Sequence, residues 1–355
     1  MKVYGVIMAG GGGTRFWPLS RQKRPKQLLN LSGKDLMINE TIDRIHRFID
    51  YEDIFIVTNQ TQAEAMKQAV AGRVREENIL SEPAARNTAA CIGYAAEVIE
   101  KRYGSGIMCV FPADHYIKDE KEFGRIIEEG IREVESKDCL LTIGITPTFA
   151  ATGYGYIQYE DDTQVSHKVL QFVEKPDSKT AEEYLAKGTY LWNSGMFVWK
   201  TGTILSEIKN YIPEVYSIIE KIGVALNTEA EEEALQQLYP QIPKISIDYG
   251  VMERSKRVRC TPGDFGWNDV GSWDMLEAIH EKDEKGNIFL GEHFELDTTN
   301  SVVYSSTDKM IALIGVDDLV IVETEDALLV CNQQKAQDVK KVVEHLQESG
   351  REELL

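Results

Sequence analysis

Apolar residues fall along this chain in two rhythms. Short, nearly unbroken runs at 3–8, 53–58, 79–80, 107–111 and 140–145 predict strands buried on both faces. Between them the spacing changes to that of helices. Ile38, Ile42, Ile45 and Phe48 share one face of a helix over 36–48, and further helices are predicted over 61–70 and about 120–134. Cys91, Tyr94, Ala95, Val98 and Ile99 recur at the same period behind Asn87 and Thr88, which read as a helix cap. Strands alternating with helices in this way imply a mostly parallel sheet with helices on both faces.

The middle of the chain is more mixed. Strands are predicted over 154–159, 169–174 and 196–199, and helices over 180–186, 204–209, 213–221 and 228–238. The acidic run Glu231, Glu232 and Glu233 invites a metal reading, but Thr228 followed three residues later by Glu231 fits a capping box on a solvated helix. After about residue 278 the texture shifts to short strand-like runs at 301–305, 311–315, 319–323 and 328–331, with no evident repeat. A last helix carries Ala336, Val339, Val343 and Leu346. This end reads as a small β-rich unit whose closing helix docks on the body or on a second subunit, the latter giving a homodimer.

Charge sharpens the picture. The chain carries a formal −19 and a pI near 4.9, yet its first 34 residues hold seven Lys or Arg and no Asp or Glu. The acidic whole excludes a general nucleic-acid surface, while the basic start suits a small polyanion. No run reaches the ~18 apolar residues of a membrane span, and no signal-peptide pattern precedes the first strand, so a cytoplasmic setting without membrane contact is expected. Five cysteines, an odd number without a C-x-x-C pair, read as reduced thiols.

The chemistry concentrates where the first strand ends. Gly10, Gly11, Gly12 and Gly13 lead into Thr14 and Arg15, with Pro18 and Lys26 downstream. Backbone free of Cβ can approach a phosphate chain closely, and a guanidinium can clamp two of its oxygens. A dinucleotide fingerprint is rejected because Arg15 stands at its third glycine and Pro18 disfavours an uninterrupted helix. A Walker loop is rejected because Gly-Thr-Arg replaces Gly-Lys-Ser/Thr. Asp114 follows an apolar strand and therefore sits at the carboxyl edge of the sheet, where such sheets bind ligands.

With these residues in place the chain resembles the sugar-nucleotide pyrophosphorylases. The resemblance continues through Glu82-Pro83-x-x-Arg86-Asn87-Thr88, Phe111-Pro112-Ala113-Asp114-His115, Gly153-Tyr154-Gly155-Tyr156, Phe172-Val173-Glu174-Lys175-Pro176 and Trp192-Asn193-Ser194-Gly195. It ends with Ile247-Asp248-Tyr249-Gly250 and Phe265-Gly266-Trp267-Asn268-Asp269-Val270-Gly271. It spans roughly residues 3–280. It implies a Rossmann-like, GT-A-like nucleotidyltransferase of α/β class with a mostly parallel mixed sheet over 1–280, and a small β-rich domain over 281–355.

The same resemblance implies an activity: GTP and α-D-mannose 1-phosphate give GDP-mannose and pyrophosphate, by in-line attack without a covalent intermediate. Arg15, Lys26, Asp114 and Asp269 are the implied catalytic residues. Asp114 and Asp269 would bind Mg²⁺ or another divalent cation. Ala9, Gly10, Gly11, Gly12, Thr14, Arg15, Lys26, Glu82, Pro83, Asn87, Thr88 and Asp114 would meet the nucleotide. Gly153, Tyr154, Gly155, Glu174, Lys175 and Asn193 would meet the sugar phosphate. His115 reads as structural. Many bacterial relatives carry a further cupin-type isomerase domain, and the chain shows no clustered metal ligands that would serve one, so isomerase activity is not expected. Two alternatives fit the same loop: a nucleotidyltransferase for another pair, such as glucose 1-phosphate with dTTP or UTP, and a catalytically silent nucleotide-sensing subunit.

Overall fold

The computed structural model describes every residue of the chain except 163. In chain order its first strands are β1 (Val3–Met8), β2 (Ile54–Asn59), β3 (Ile79–Glu82), β4 (Ile107–Pro112), β5 (Tyr116–Ile117) and β6 (Leu140–Ile145). They are followed by β7 (Tyr156–Tyr159), β8 (His167–Val173), β9 (Tyr190–Lys200), β10 (Val258–Gly263) and β11 (Trp267–Asn268). Nine of them form one sheet in the order β3-β2-β1-β4-β9-β6-β10-β8-β7, while β5 and β11 pair separately. β3, β2, β1 and β4 run parallel, and β9 is antiparallel to both β4 and β6.

The unbroken apolar runs have a plain cause. Successive strand residues point to opposite faces, and here both faces are covered. Val6, Phe55, Val57, Met108 and Val110 pack under the helices Thr88–Tyr103, Thr201–Tyr211 and Pro213–Ala225. Their neighbours Ile7, Ile54, Ile56 and Cys109 pack under Met37–His46, Ala63–Ala69 and Glu120–Ser136. Each such buried side chain contributes roughly 1.5–3 kcal/mol. Because β1, β3 and β4 are parallel, the segments that follow Met8, Glu82 and Pro112 emerge at one edge.

Two strands differ from the sequence reading. β9 begins at Tyr190, not at residue 196, because Asn193 and Gly195 break its apolar run. β10 is hidden in the sequence by Pro262 and Gly263, which argue against a sheet interior. The chain tolerates them because β10 pairs with β8 only at Arg259 and Cys260, leaving one side open at Pro262. The acidic helix starts at Glu231, with Glu231 reaching back to the Asn227 amide and pairing with Arg102, 3.1 Å away.

The remainder is a coil of short strands: β12 (Ile288–Leu290), β13 (His293–Leu296), β14 (Val302–Ser305), β15 (Ile311–Ile314), β16 (Leu319–Glu323) and β17 (Leu328–Asn332). β12, β14 and β16 stack in parallel, as do β13 and β15, so Ile288 lies beside Val302 and Val302 beside Val320. This structural repeat is invisible in the residues. The closing helix, Lys340–Glu348, docks on the body of the same chain: Val343 and Leu346 share a core with Phe16, Trp17 and Trp273. Trp17 Nε1 donates to the Leu354 carbonyl at 2.9 Å, and Trp273 Nε1 to the Trp17 carbonyl at 3.2 Å.

Candidate active site

Three adjoining hollows open at the carboxyl edge of the sheet. The first, about 340 Å³, is lined by Gly10, Gly11, Glu82, Arg86, Asn87, Thr88 and Lys244. Pro83 and Gly12 do not line it. Ala9, expected to meet a nucleotide, is committed instead to the sheet. Its amide donates to the Val57 carbonyl at 2.7 Å, and its carbonyl accepts from Gln27 Nε2 at 2.7 Å and Thr58 Oγ1 at 3.1 Å. Ala9 therefore supports the loop from behind.

Glu82 is the charged anchor of this hollow. Only 6% exposed, it accepts a bond from the Tyr239 hydroxyl and lies against Gly10. Burial pushes its carboxyl up to about 7, with the Tyr239 bond opposing. Asn87 caps the helix Thr88–Tyr103, its side chain accepting from the Thr88 amide at 2.8 Å. The Thr88 hydroxyl accepts from the Ile247 amide at 2.9 Å.

The second hollow, about 300 Å³, brings together Gly13, Thr14, Arg15, Asp114, His115, Asp269, Gly271 and Lys340. Here Lys26, expected to be catalytic and to meet the nucleotide, is engaged with the protein itself. Its ammonium is buried and donates to the Asp114 carbonyl at 2.7 Å, to Asp114 Oδ2 at 3.0 Å and to the Asp269 carbonyl at 2.6 Å. All three of its hydrogens are spent. Lys26 joins the two acidic loops, which lie 155 positions apart in sequence. Gly13 makes the approach feasible: at φ +59°, a Cβ there would sit 2.3 Å from Lys26 Cβ.

Burial alone would raise the Asp114 pKa, but the Lys26 charge and hydrogen bond outweigh it and hold the carboxyl below the usual range. Asp269 Oδ1 accepts from the Tyr154 hydroxyl at 2.8 Å. Among the described residues no hydrogen bond reaches Asp114 Oδ1 or Asp269 Oδ2. One oxygen of each carboxylate thus remains for a cation. Among the described residues no three His, Cys, Asp or Glu gather into a metal cluster, but Mg²⁺ needs only one or two carboxylates beside phosphate and water. The donor set fits that ion. Arg15 is exposed and, among the described residues, has no ion-pair partner.

His115 stands beside this pair in a defined state. Trp267 Nε1, which can only donate, lies 3.0 Å from His115 Nδ1. Nδ1 is therefore the acceptor and the ring hydrogen is on Nε2. Burial pushes the imidazole down to about 4, keeping it neutral.

The third hollow, about 410 Å³, shares Arg15, Asp269 and Gly271 with the second and adds Gly153, Tyr154, Met275 and Gln337. Gly155, Glu174, Lys175 and Asn193 do not line it; they cluster together just past Tyr154. A Cβ on Gly155 would lie 2.8 Å from Glu174 Oε2 and 3.6 Å from Asn193 Cβ. The Asn193 amide donates to the Gly155 carbonyl at 2.8 Å, and Asn193 Nδ2 to Asp248 Oδ1 at 2.8 Å. Lys175 is exposed, 3.5 Å from Glu174 Oε1. Burial, reinforced by the charge of Glu174, raises the Asp248 pKa.

Asp248 falls within one of the matched motifs yet has no role in the sequence reading. The signal that marks it is a carboxylate inside an otherwise apolar segment. Lys340 has no local signal at all. Backbone strain marks the same region: Asn87, Lys175 and Val270 all have positive φ, at 69°, 38° and 43°. For a buried β-branched residue such as Val270 this is costly, and it stands next to Asp269.

Comparison with known proteins identifies the family. The nucleotidyl transferase family matches residues 4–286, and a "MannoseP isomerase/GMP-like beta-helix domain" matches 291–346. The chain is 40% identical to mannose-1-phosphate guanylyltransferase of Escherichia coli (strain K12), over 99% of this chain and 75% of that one. It is 39% identical to mannose-1-phosphate guanylyltransferase RfbM of Salmonella typhimurium, over 98% and 73%. Among solved structures, one described as mannose-1-phosphate geranyltransferase from Thermus thermophilus superposes with a TM-score of 0.88 at 34% identity. That match covers 98% of this chain and all of the other. No described helix is long and apolar enough to cross a membrane. The chain belongs to the nucleotidyl transferase family.

Proposed function

We propose that the chain transfers GMP from GTP to α-D-mannose 1-phosphate, releasing pyrophosphate and forming GDP-mannose. The observation that carries this reading is the joining of Asp114 and Asp269 by buried Lys26, beside an exposed Arg15 and a neighbouring hollow lined by Glu82. The names of the relatives point to the same substrates.

In the reaction a phosphate oxygen of the sugar phosphate attacks the α-phosphorus of the nucleotide. The bond from that phosphorus to its β-bridging oxygen breaks, and pyrophosphate leaves with the electron pair. The nucleophile is ionised at neutral pH, so no general base is needed. What remains for the protein is positioning and charge neutralisation. Arg15 would clamp the phosphates. Asp114 and Asp269 would hold Mg²⁺ or a similar ion, which when bound withdraws charge from the phosphate oxygens. Lys26 positions those carboxylates. Glu82 suits guanine, whose N1–H and N2–H₂ present two adjacent donors, whereas uracil and thymine flank one donor with two acceptors. Glu174, Lys175 and Asn193 would take the sugar phosphate.

A homodimer belongs to this reading too. Phe294, Leu296 and Ile314 leave an apolar strip on the outer face of the coil about half exposed or more, which a second copy would cover. Sedimentation showing a monomer at assay concentration would remove it.

Pyrophosphate release across four NTPs and several sugar 1-phosphates, with and without EDTA, tests the activity. GTP with mannose 1-phosphate should give the highest kcat/KM, and EDTA should abolish turnover. Preference for dTTP with glucose 1-phosphate would overturn the assignment.

A further inference from the structure

The C-terminal coil shows no chemistry in its sequence, yet it delivers a cation to the phosphate hollow. Lys340 opens the closing helix Lys340–Glu348 and lines the second hollow together with Thr14, Arg15, Asp114 and Asp269. Its side chain is exposed, and among the described residues no carboxylate lies within ion-pair distance of it. Its neighbour Lys341 makes an informative contrast: it points to Asp338, 2.9 Å away, and does not line the hollow.

The placement of Lys340 is built rather than incidental. One turn earlier, Gln337 Nε2 donates to Ser272 Oγ at 2.7 Å, tying the helix start to the segment that follows Asp269. Ala336, Val339 and Val343 share a buried core with Phe16 and Trp17, the residues directly after Arg15. Arg15 and Lys340 therefore sit on elements packed against one another. Since the ammonium of Lys26 is spent on the acidic loops, Arg15 and Lys340 are the two uncommitted cations lining this hollow among the described residues.

We infer that Lys340 grips the β- and γ-phosphates of the incoming nucleotide and the pyrophosphate they become, so that the C-terminal coil is part of the active site. This rests on the reaction proposed above. A compact ammonium on a flexible stem suits a group whose charge grows as the α–β bond breaks. It also gives the coil a task beyond packing: it holds the second phosphate cation in register with Arg15.

Truncating the coil would strip the core from Phe16 and Trp17, so point variants are the proper test. Lys340→Met should raise KM for GTP, and for inorganic pyrophosphate in the reverse direction, by about tenfold or more, while KM for mannose 1-phosphate changes less than about twofold. Calorimetric affinity for inorganic pyrophosphate should fall in parallel, thermal melting should stay unchanged, and Lys340→Arg should restore most of the loss. Lys341→Met should match the parent. If Lys340→Met leaves both GTP and pyrophosphate constants unchanged in an enzyme whose parent turns over GTP and mannose 1-phosphate, this inference falls alone. A rise confined to the mannose 1-phosphate constant overturns it as well. A parent silent across the whole substrate panel would instead remove the activity on which it rests. Should Lys340→Met melt early, Lys340→Gln and Lys340→Arg carry the comparison.

Discussion

The two sides of the cleft are held in opposite ways. On the side of Asp114 and Asp269 the groups that set the two carboxylates are tied, and among the described residues only Arg15 and Lys340 stay uncommitted. Lys26 is 3% exposed and bonded three times, Tyr154 holds Asp269, and Val270 is forced to a positive φ beside it. On the sugar side Lys175 is exposed and merely lies near its own neighbour Glu174. There, burial and then neighbouring carboxylates raise the pKa values of Asp248 and Glu253. One side is set before any ligand arrives. The other holds charges that can exchange partners when a phosphate enters. Phosphoryl transfer rewards this division, since misplacing the groups that face the reacting phosphorus is far costlier than reorganising the groups that only bind.

The sharpest way to break the contrast is to loosen the tied side. Lys26→Met leaves the Asp114 carboxylate without its partner and frees the loop carrying Asp269. Losing one member of a buried pair costs about 3–5 kcal/mol. Asp114 keeps about a third of its exposure, so the expected loss is roughly 2–3 kcal/mol, read as a drop in the urea midpoint. Turnover should fall by about 10³-fold or more even where the variant is fully folded, because both carboxylates shift together. A folded Lys26→Met enzyme within about tenfold of the parent kcat would mean that the stitching is ornamental.

How far this contrast is legible in the residues depends on the range of the interactions. The glycine loop, the strand ends and the position of Asp114 follow from local pattern, because apolar runs fix strands and parallel strands fix one edge. Asp269, after the short strand β11 outside that sheet, is reached only through the family resemblance. The task of Lys26 does not follow from local pattern either. Nothing near residue 26 announces that its ammonium will be enclosed by loops 88 and 243 positions away. Lys340 escapes for the same reason, since only the docking of the coil brings it to Arg15. β10 is missed for a local reason: Pro262 is a valid argument against a strand interior, defeated here by an open side of the sheet. The coil is legible as β-rich, but its parallel stacking depends on residue pairs such as Ile288 with Val302 that share no motif.

Glu82, in the first hollow, offers a test of intermediate size. With its pKa near 7, it is protonated below that value and presents fewer acceptors to guanine. KM for GTP should therefore fall as pH rises from about 6 to 8. Stability should move in the opposite direction. The folded pKa lies above the unfolded one, so the contribution is fully present below about 4.5 and is lost as pH rises through 7, a span of roughly 3 kcal/mol. Glu82→Gln should flatten both dependences and cost about 10- to 100-fold in kcat/KM for GTP. Thermal melts at pH 5 and pH 8 beside GTP saturation curves read the two effects. Parent and variant with identical pH profiles would place the titration elsewhere.

The smallest effect belongs to the loose side. Lys175 has no bond to surrender except a 3.5 Å contact with Glu174 in an exposed setting, where such pairs contribute about 0–1 kcal/mol. Lys175→Ala should therefore leave melting unchanged, and removing the positive φ of a lysine at 38° is not at issue, since alanine meets the same backbone. What it should lose is one charge–phosphate contact: KM for mannose 1-phosphate rises about tenfold, with kcat and KM for GTP near the parent. Lys175→Gly, which relieves the backbone strain, should bind the sugar phosphate no better than Lys175→Ala. A loss of kcat comparable to that of Lys26→Met would show that Lys175 is held against the reacting phosphorus, and the two sides of the cleft would then be equally committed before the substrates bind.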